Sequence, residues 1–167
     1  MEFNKVLPQR KNIRLSGYDY TSNGYYFVTI CTYKNEPYIQ RYQEIITKIL
    51  YSLPARISGL GIDYKVLMPT HLHIIFVFHE VLKNLGEVVR IFKGLVSRET
   101  GKKNFWQRNY YEHIIRDEHV FMKIREYIQN NPLVEKIEFE QFYKAGLMNQ
   151  APTETTEINQ DPTEMMK

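Results

Sequence analysis

One cysteine, Cys31, is all that the 167-residue chain contains, which excludes an internal disulfide and a cluster of thiolate metal ligands. It lies in the run TICTY, where a small half-buried thiol on a strand is the plain reading. Long apolar runs are missing too: none reaches the roughly 18 residues of a membrane-crossing helix, and the opening MEFNKVLPQRKNIR is too polar for a secretory signal. A cytoplasmic protein without a membrane partner is the expectation. The chain also lacks the length for two comfortable domains, because 167 residues at 43% hydrophobic and 14% aromatic content fill one core. That core is expected within residues 1–148.

Excess charge of either sign is small until the chain is divided. Residues 149–167 carry −3 of a total of +3, so the preceding residues carry +6. Scattered acids, two prolines and low hydrophobicity predict a disordered acidic tail over 149–167. A basic body suits a polyanionic partner such as nucleic acid. Its first sixteen residues, with Arg10, Lys11 and Arg14, read as a basic arm.

What is there is a regular alternation of elements. GYDYTSNG is rich in turn residues and leads into YYFVTICTY, a β-branched and aromatic strand in which Tyr20 and Tyr26 are candidates for base stacking or for covering the sheet rim. Gln43 to Ser58 repeats apolar residues at helical spacing and ends or kinks near Pro54. Gly59 and Gly61 return the chain to a strand, and Pro69-Thr70 turns it into HLHIIFVF, so the two strands make an antiparallel hairpin. Asn84 to Thr100 is amphipathic, with Arg90, Lys93 and Arg98 on its polar side, which suits either solvent or a phosphate backbone. FWQRNYYEHIIR holds a short strand, with Trp106 as a core anchor, and Asp117 precedes a helix from about His119 to Asn130. The order strand, helix, two-strand hairpin, helix, strand describes a ferredoxin-like or RRM-like α+β sandwich: a four-stranded antiparallel sheet with two helices on one face. The additional last helix is expected to lie across the other face.

Chemistry concentrates on the hairpin. In an extended strand His71 and His73 face the same side while Leu72, Ile74, Phe76 and Phe78 fill the opposite one. Two imidazoles on a rigid strand suit a metal, but a catalytic cation needs about three protein ligands. In REYIQNNP, Tyr127 and Asn131 stand four residues apart and share one helical face, offering a nucleophilic phenol and an amide oxygen. Gln129 and Asn130 compete with Asn131 for the helix end, and Tyr110 and Tyr111 compete with Tyr127 as nucleophile. Glu112 and His113 are possible auxiliaries, whereas His79 lies too far along the strand to share an ion. Neutral ligands leave a cation its full charge, which favours an anionic phosphodiester as substrate.

These stretches carry a family likeness. In MPTHLHIIF, FWQRNYYEHIIRDE, YIQNNP and the N-terminal RKNIRLSGYDYTSNGYYFVTICT, over residues 9 to 135, the chain resembles the single-tyrosine HUH transposases, and within them the REP-associated tyrosine transposases. The resemblance implies an enzyme that cuts and rejoins single-stranded or hairpin DNA. Mg2+ or Mn2+ would sit on His71, His73 and Asn131, and Tyr127 would form a covalent 5′-phosphotyrosine. Arg10, Lys11, Arg14, Arg90, Lys93, Arg108, Tyr110 and Arg116 are the expected DNA contacts, and both monomer and homodimer are open. A competing expectation is a non-catalytic RRM-like module that binds single-stranded nucleic acid on an open sheet face.

Overall fold

The computed structural model describes residues 14–130 and Phe142. Residues 1–13 with Arg10 and Lys11, the expected ligand Asn131 and the expected tail 149–167 lie outside them.

The aromatic and β-branched run forms strand β1 (Gly24–Cys31). A 3-10 turn and a short helix, α1 (Tyr38–Arg41), follow in a segment whose four helical residues are too few to show a period in the sequence. Helix α2 (Gln43–Arg56) buries Ile46, Ile49, Leu50 and Leu53, and it continues one half-turn beyond Pro54 because only the last turn is affected. Strands β2 (Leu60–Leu67) and β3 (His71–Phe78) form the expected hairpin, closed by Met68 N donating to the His71 carbonyl over 2.8 Å. Gly59, at φ 80°, starts β2 under the carbonyl of His79, where a Cβ would collide with backbone.

Helix α3 (Leu85–Thr100) begins in a capping box: Asn84 accepts from the Glu87 amide at 2.9 Å and Glu87 accepts from the Asn84 amide at 2.9 Å. It ends at Gly101, whose φ of 67° suits a residue without a side chain. Strand β4 (Tyr111–Ile115) leads to α4 (Glu118–Asn130), where Asp117 Oδ1 accepts from Val120 N over 3.0 Å and caps the first turn.

The four strands are antiparallel in the order β2-β3-β1-β4, the ferredoxin-like arrangement. On one face Tyr26, Val28 and Ile30 of β1 and Leu72, Ile74, Phe76 and Phe78 of β3 pack under α2 and α3. On the other, Phe27, Ile75 and Ile115 pack under Val120, Phe121, Ile124 and Ile128 of α4. The last helix therefore crosses the second face, as expected. No helix among the described residues is long and apolar enough to cross a membrane.

Strand β2 contains an irregularity that the sequence does not announce. Ile62 pairs with Phe76 and Tyr64 with the next residue, Ile75, so Asp63 is an extra residue, a β-bulge. Such a shift exchanges the faces of all that follows. Leu60 and Ile62 face α2 and α3, whereas Tyr64 and Val66 join the α4 layer.

Candidate functional site

Strand register places the histidines in rows across the α4 face. Thr29 of β1 lies opposite His73, which lies opposite Val66 of β2; Tyr111 of β4 completes that row beyond Thr29. The adjoining row runs His113, Phe27, Ile75, Tyr64. His71 lies one row beyond His73, opposite Cys31. The imidazoles of His71 and His73 share one face as alternation requires, with ring centroids 5.0 Å apart. That spacing suits two rings whose nitrogens each approach one ion at about 2.1 Å.

Both rings are held from behind. Thr29 Oγ1 and His73 Nδ1 are hydrogen-bonded at 2.8 Å, and the His73 ring stacks on Phe27 at 5.3 Å, leaving the residue 3% exposed. Thr70 Oγ1 and His71 Nδ1 are 3.2 Å apart. A hydroxyl partner on Nδ1 fixes ring orientation and, since it can accept as well as donate, is compatible with the tautomer that leaves Nε2 free to ligate. Thr29 escaped sequence reasoning because only the pairing of β1 with β3, 44 residues apart, brings it to His73.

Helix α4 docks its apolar stripe beside these rows. Phe121 stacks on Tyr25 at 3.9 Å, and the Tyr64 hydroxyl donates to the Ile128 carbonyl at 3.5 Å. Tyr64 lies in the row adjoining that of His73, so the C-terminal end of α4 reaches the histidine side of the sheet. Tyr127 is half-buried there, its ring 5.3 Å from that of Phe142. Among the described residues no group of three His, Cys, Asp or Glu forms a metal cluster, so a third ligand to any ion on the pair would be of another type or come from outside them. Asn131, the expected one, follows the last described residue of α4.

Both auxiliaries are displaced from the pair. Glu112 lies opposite Val28 and so points into the α2 and α3 layer, where burial pushes its carboxyl up. Tyr20 beside it is raised to about 12, first by burial and then by Glu112. His113 does share the histidine face, but Phe27 separates it from the pair, and burial with the Arg116 charge lowers it to about 4. Cys31 is half-buried and burial raises its thiol, as an inert strand cysteine requires.

Of the expected DNA contacts among the described residues, two are turned inward. Tyr110 is 6% exposed, and its ring faces the Arg14 guanidinium at 4.9 Å and the Lys93 ammonium at 5.8 Å. A ring so enclosed receives cations and offers no face to a base. Lys93 donates to three successive carbonyls, Gln107 at 2.9 Å, Arg108 at 3.4 Å and Asn109 at 3.0 Å. Burial lowers its ammonium to about 8, still cationic at neutral pH. Tyr26 is likewise fully buried, its hydroxyl donating to the Ser22 carbonyl at 2.6 Å, so it is a core residue. Arg90, Arg108 and Arg116 are exposed, with Arg116 5.4 Å from the Tyr18 ring.

No protein-family model matches the chain. An uncharacterized protein of Haemophilus influenzae is 33% identical over 168 residues, a match spanning 80% of this chain and 93% of that protein. Among solved structures, a REP-associated tyrosine transposase bound to a REP hairpin aligns with a TM-score of 0.60 at 22% identity, covering 69% of this chain and 70% of that one. That likeness is one of fold.

Proposed function

The chain belongs to the family of this Haemophilus influenzae protein, and from that premise and the fold it shares with a hairpin-bound transposase we propose that it is a metal-dependent enzyme that nicks and rejoins single-stranded DNA. One observation carries the reading: the imidazoles of His71 and His73, 5.0 Å apart, share a sheet face with the helix end that bears Tyr127. The substrate class is hairpin or palindromic DNA, in keeping with the hairpin bound by the structural relative.

His71 and His73, with Asn131, would hold Mg2+ or Mn2+, and the paired imidazoles with hydroxyls on both Nδ1 atoms fit such an ion. When bound, the cation supplies positive charge to the scissile phosphate and to the oxyanion that develops there. In the ligating tautomer, His73 Nδ1–H donates to Thr29 Oγ1. Tyr127 Oη attacks phosphorus and the bond to the 3′ oxygen breaks. The phenol loses a proton and the leaving oxygen gains one, giving a 5′-phosphotyrosine and a free 3′-hydroxyl. Rejoining is the reverse, and the bond energy stays in the phosphotyrosine link. In this reading α4, packed on the sheet of its own chain, brings the tyrosine to the histidines of that chain, and both monomer and homodimer stay open. Arg90, Arg108 and Arg116 offer exposed charge for the phosphate backbone.

The test is mass spectrometry of the protein after incubation with hairpin DNA and Mn2+. A covalent adduct is expected in the wild type and none in Tyr127→Phe or in His71→Ala with His73→Ala. Persistence of the adduct in Tyr127→Phe overturns the assignment of Tyr127 and moves the nucleophile to the exposed Tyr111. Binding without any adduct means the non-catalytic module. That alternative is disfavoured because α4 covers the face an RRM-like binder keeps open.

A further inference from the structure

We infer that Asp63 and Arg125 are positioning residues for Tyr127: the bulge in β2 clamps one flank of α4 and thereby sets the roll of the helix that carries the tyrosine on its other flank. This rests on the reading of Tyr127 as the nucleophile.

The bulge does what a regular strand cannot. Alternation sends neighbouring side chains to opposite faces, but the extra residue places Asp63 and Tyr64, adjacent in sequence, both toward α4. Asp63 Oδ2 meets Arg125 Nε at 3.4 Å, and the Tyr64 hydroxyl meets the Ile128 carbonyl at 3.5 Å. Arg125 and Ile128 are three residues apart, hence neighbours on one side of the helix. Pro132, four positions after Ile128, has no N–H to offer that carbonyl, so Tyr64 supplies a donor where the sequence provides no α-helical one. Beyond one another, Asp63 Oδ2 and Arg125 Nε have no hydrogen-bond partner among the described residues. At 18% and 38% side-chain exposure, the pair is sheltered enough to hold a geometry.

Helical geometry connects the clamp to the phenol. Val120, Phe121, Ile124 and Ile128 define the buried stripe of α4. At about 100° per residue, Arg125 lies on one edge of that stripe and Tyr127, about 200° further round, on the opposite edge. Along β2, Asp63 lies on the side of Tyr64 away from Val66, the residue opposite His73. The clamped flank thus faces away from the histidines and the Tyr127 flank faces toward them. An apolar stripe alone tolerates some rotation of a helix on its sheet, since hydrophobic contact is non-directional. An ion pair on one edge fixes that rotation and so the height of the phenol above the histidine rows.

Charge reversal tests this on the full chain, using Asp63→Arg, Arg125→Asp and the double swap with hairpin DNA and Mn2+. Each single variant is expected to slow adduct formation about tenfold, with Mn2+ affinity within about twofold of wild type and faster amide exchange in α4. The swap restores both rate and protection. Single variants within about twofold of the wild-type rate overturn the proposal. So does a swap no better than the singles, which marks separate damage at two sites. If the wild type forms no adduct, the nucleophile reading has failed, and exchange in α4 then decides the clamp alone: loss in the singles with recovery in the swap upholds it, and unchanged protection overturns it.

Discussion

The two faces of one sheet differ in kind. Under α2 and α3 the sheet presents Tyr26, Val28, Ile30, Leu72, Ile74, Phe76 and Phe78, all between 0% and 2% exposed. Under α4 the same strands present Thr29, His71, His73 and His113 among a smaller set of apolar residues. Successive residues of β3 alternate between these two populations, so stability and chemistry are interleaved along one strand yet kept in separate layers. The thick apolar layer admits one desolvated carboxyl, Glu112 on the edge strand β4, whereas the thinner layer holds the imidazoles.

If that separation is real, substitutions on the two faces fail in different ways. The largest contrast is Tyr127→Phe, which should abolish the covalent adduct while leaving the unfolding free energy within about 1 kcal/mol of wild type, since the change removes one hydroxyl from a half-buried side chain. Phe76→Ala, fully buried in the thick layer, should cost about 3–5 kcal/mol and lower the midpoint of the whole sheet. Ile124→Ala beneath α4 should cost about 2–4 kcal/mol and raise exchange first in α4, with β1 and β3 still protected. Equal loss of protection in both layers would show that the faces are not separable.

Acid provides a smaller and reversible contrast. His113 has a folded value of about 4 against an ordinary 6.5, so between these values the unfolded chain binds the proton that the folded chain refuses. Stability is complete above about pH 6.5 and falls as the pH drops toward 4, by up to about 3 kcal/mol. Unfolding titrations at pH 7 and pH 4.5 should show that fall in the wild type and a shallower one in His113→Leu. Smallest of all, Asn84→Ala should cost about 1 kcal/mol through loss of the α3 cap, with adduct formation at its wild-type rate.

Much of this was legible because the physics involved is local. HLHIIFVF declares its two faces by alternation, Asn84 and Glu87 declare the start of α3, and Asp117 that of α4. The order of elements then leaves few topologies, of which the ferredoxin-like sheet is one. The misreadings came from pairings between distant segments. Thr29 meets His73 across 44 residues, and Lys93 finds carbonyls 14 to 16 residues ahead of it, so a lysine on a polar helix face becomes internal. Tyr26 and Tyr110 read as available rings in a chain with thirteen tyrosines, yet burial decides which of them face outward. The bulge at Asp63 carries no glycine or proline to mark it. The Asn131 position stays an expectation, being outside the described residues.

Lys93 gives the loop before β4 an unusual constitution. Loops that turn consecutive carbonyls toward one centre commonly do so around a metal ion, which a chelator can strip out. Here the cation at the centre is part of α3, tethered by its own side chain. No chelator empties it, and loss of the charge, by high pH or acetylation of the amine, weakens the shared hold on these carbonyls while the Gln107 amide stays on the Cys31 carbonyl at 2.9 Å. Three carbonyls on the path into β4, that of the exposed Arg108 among them, thus share one donor, an amine carried by α3.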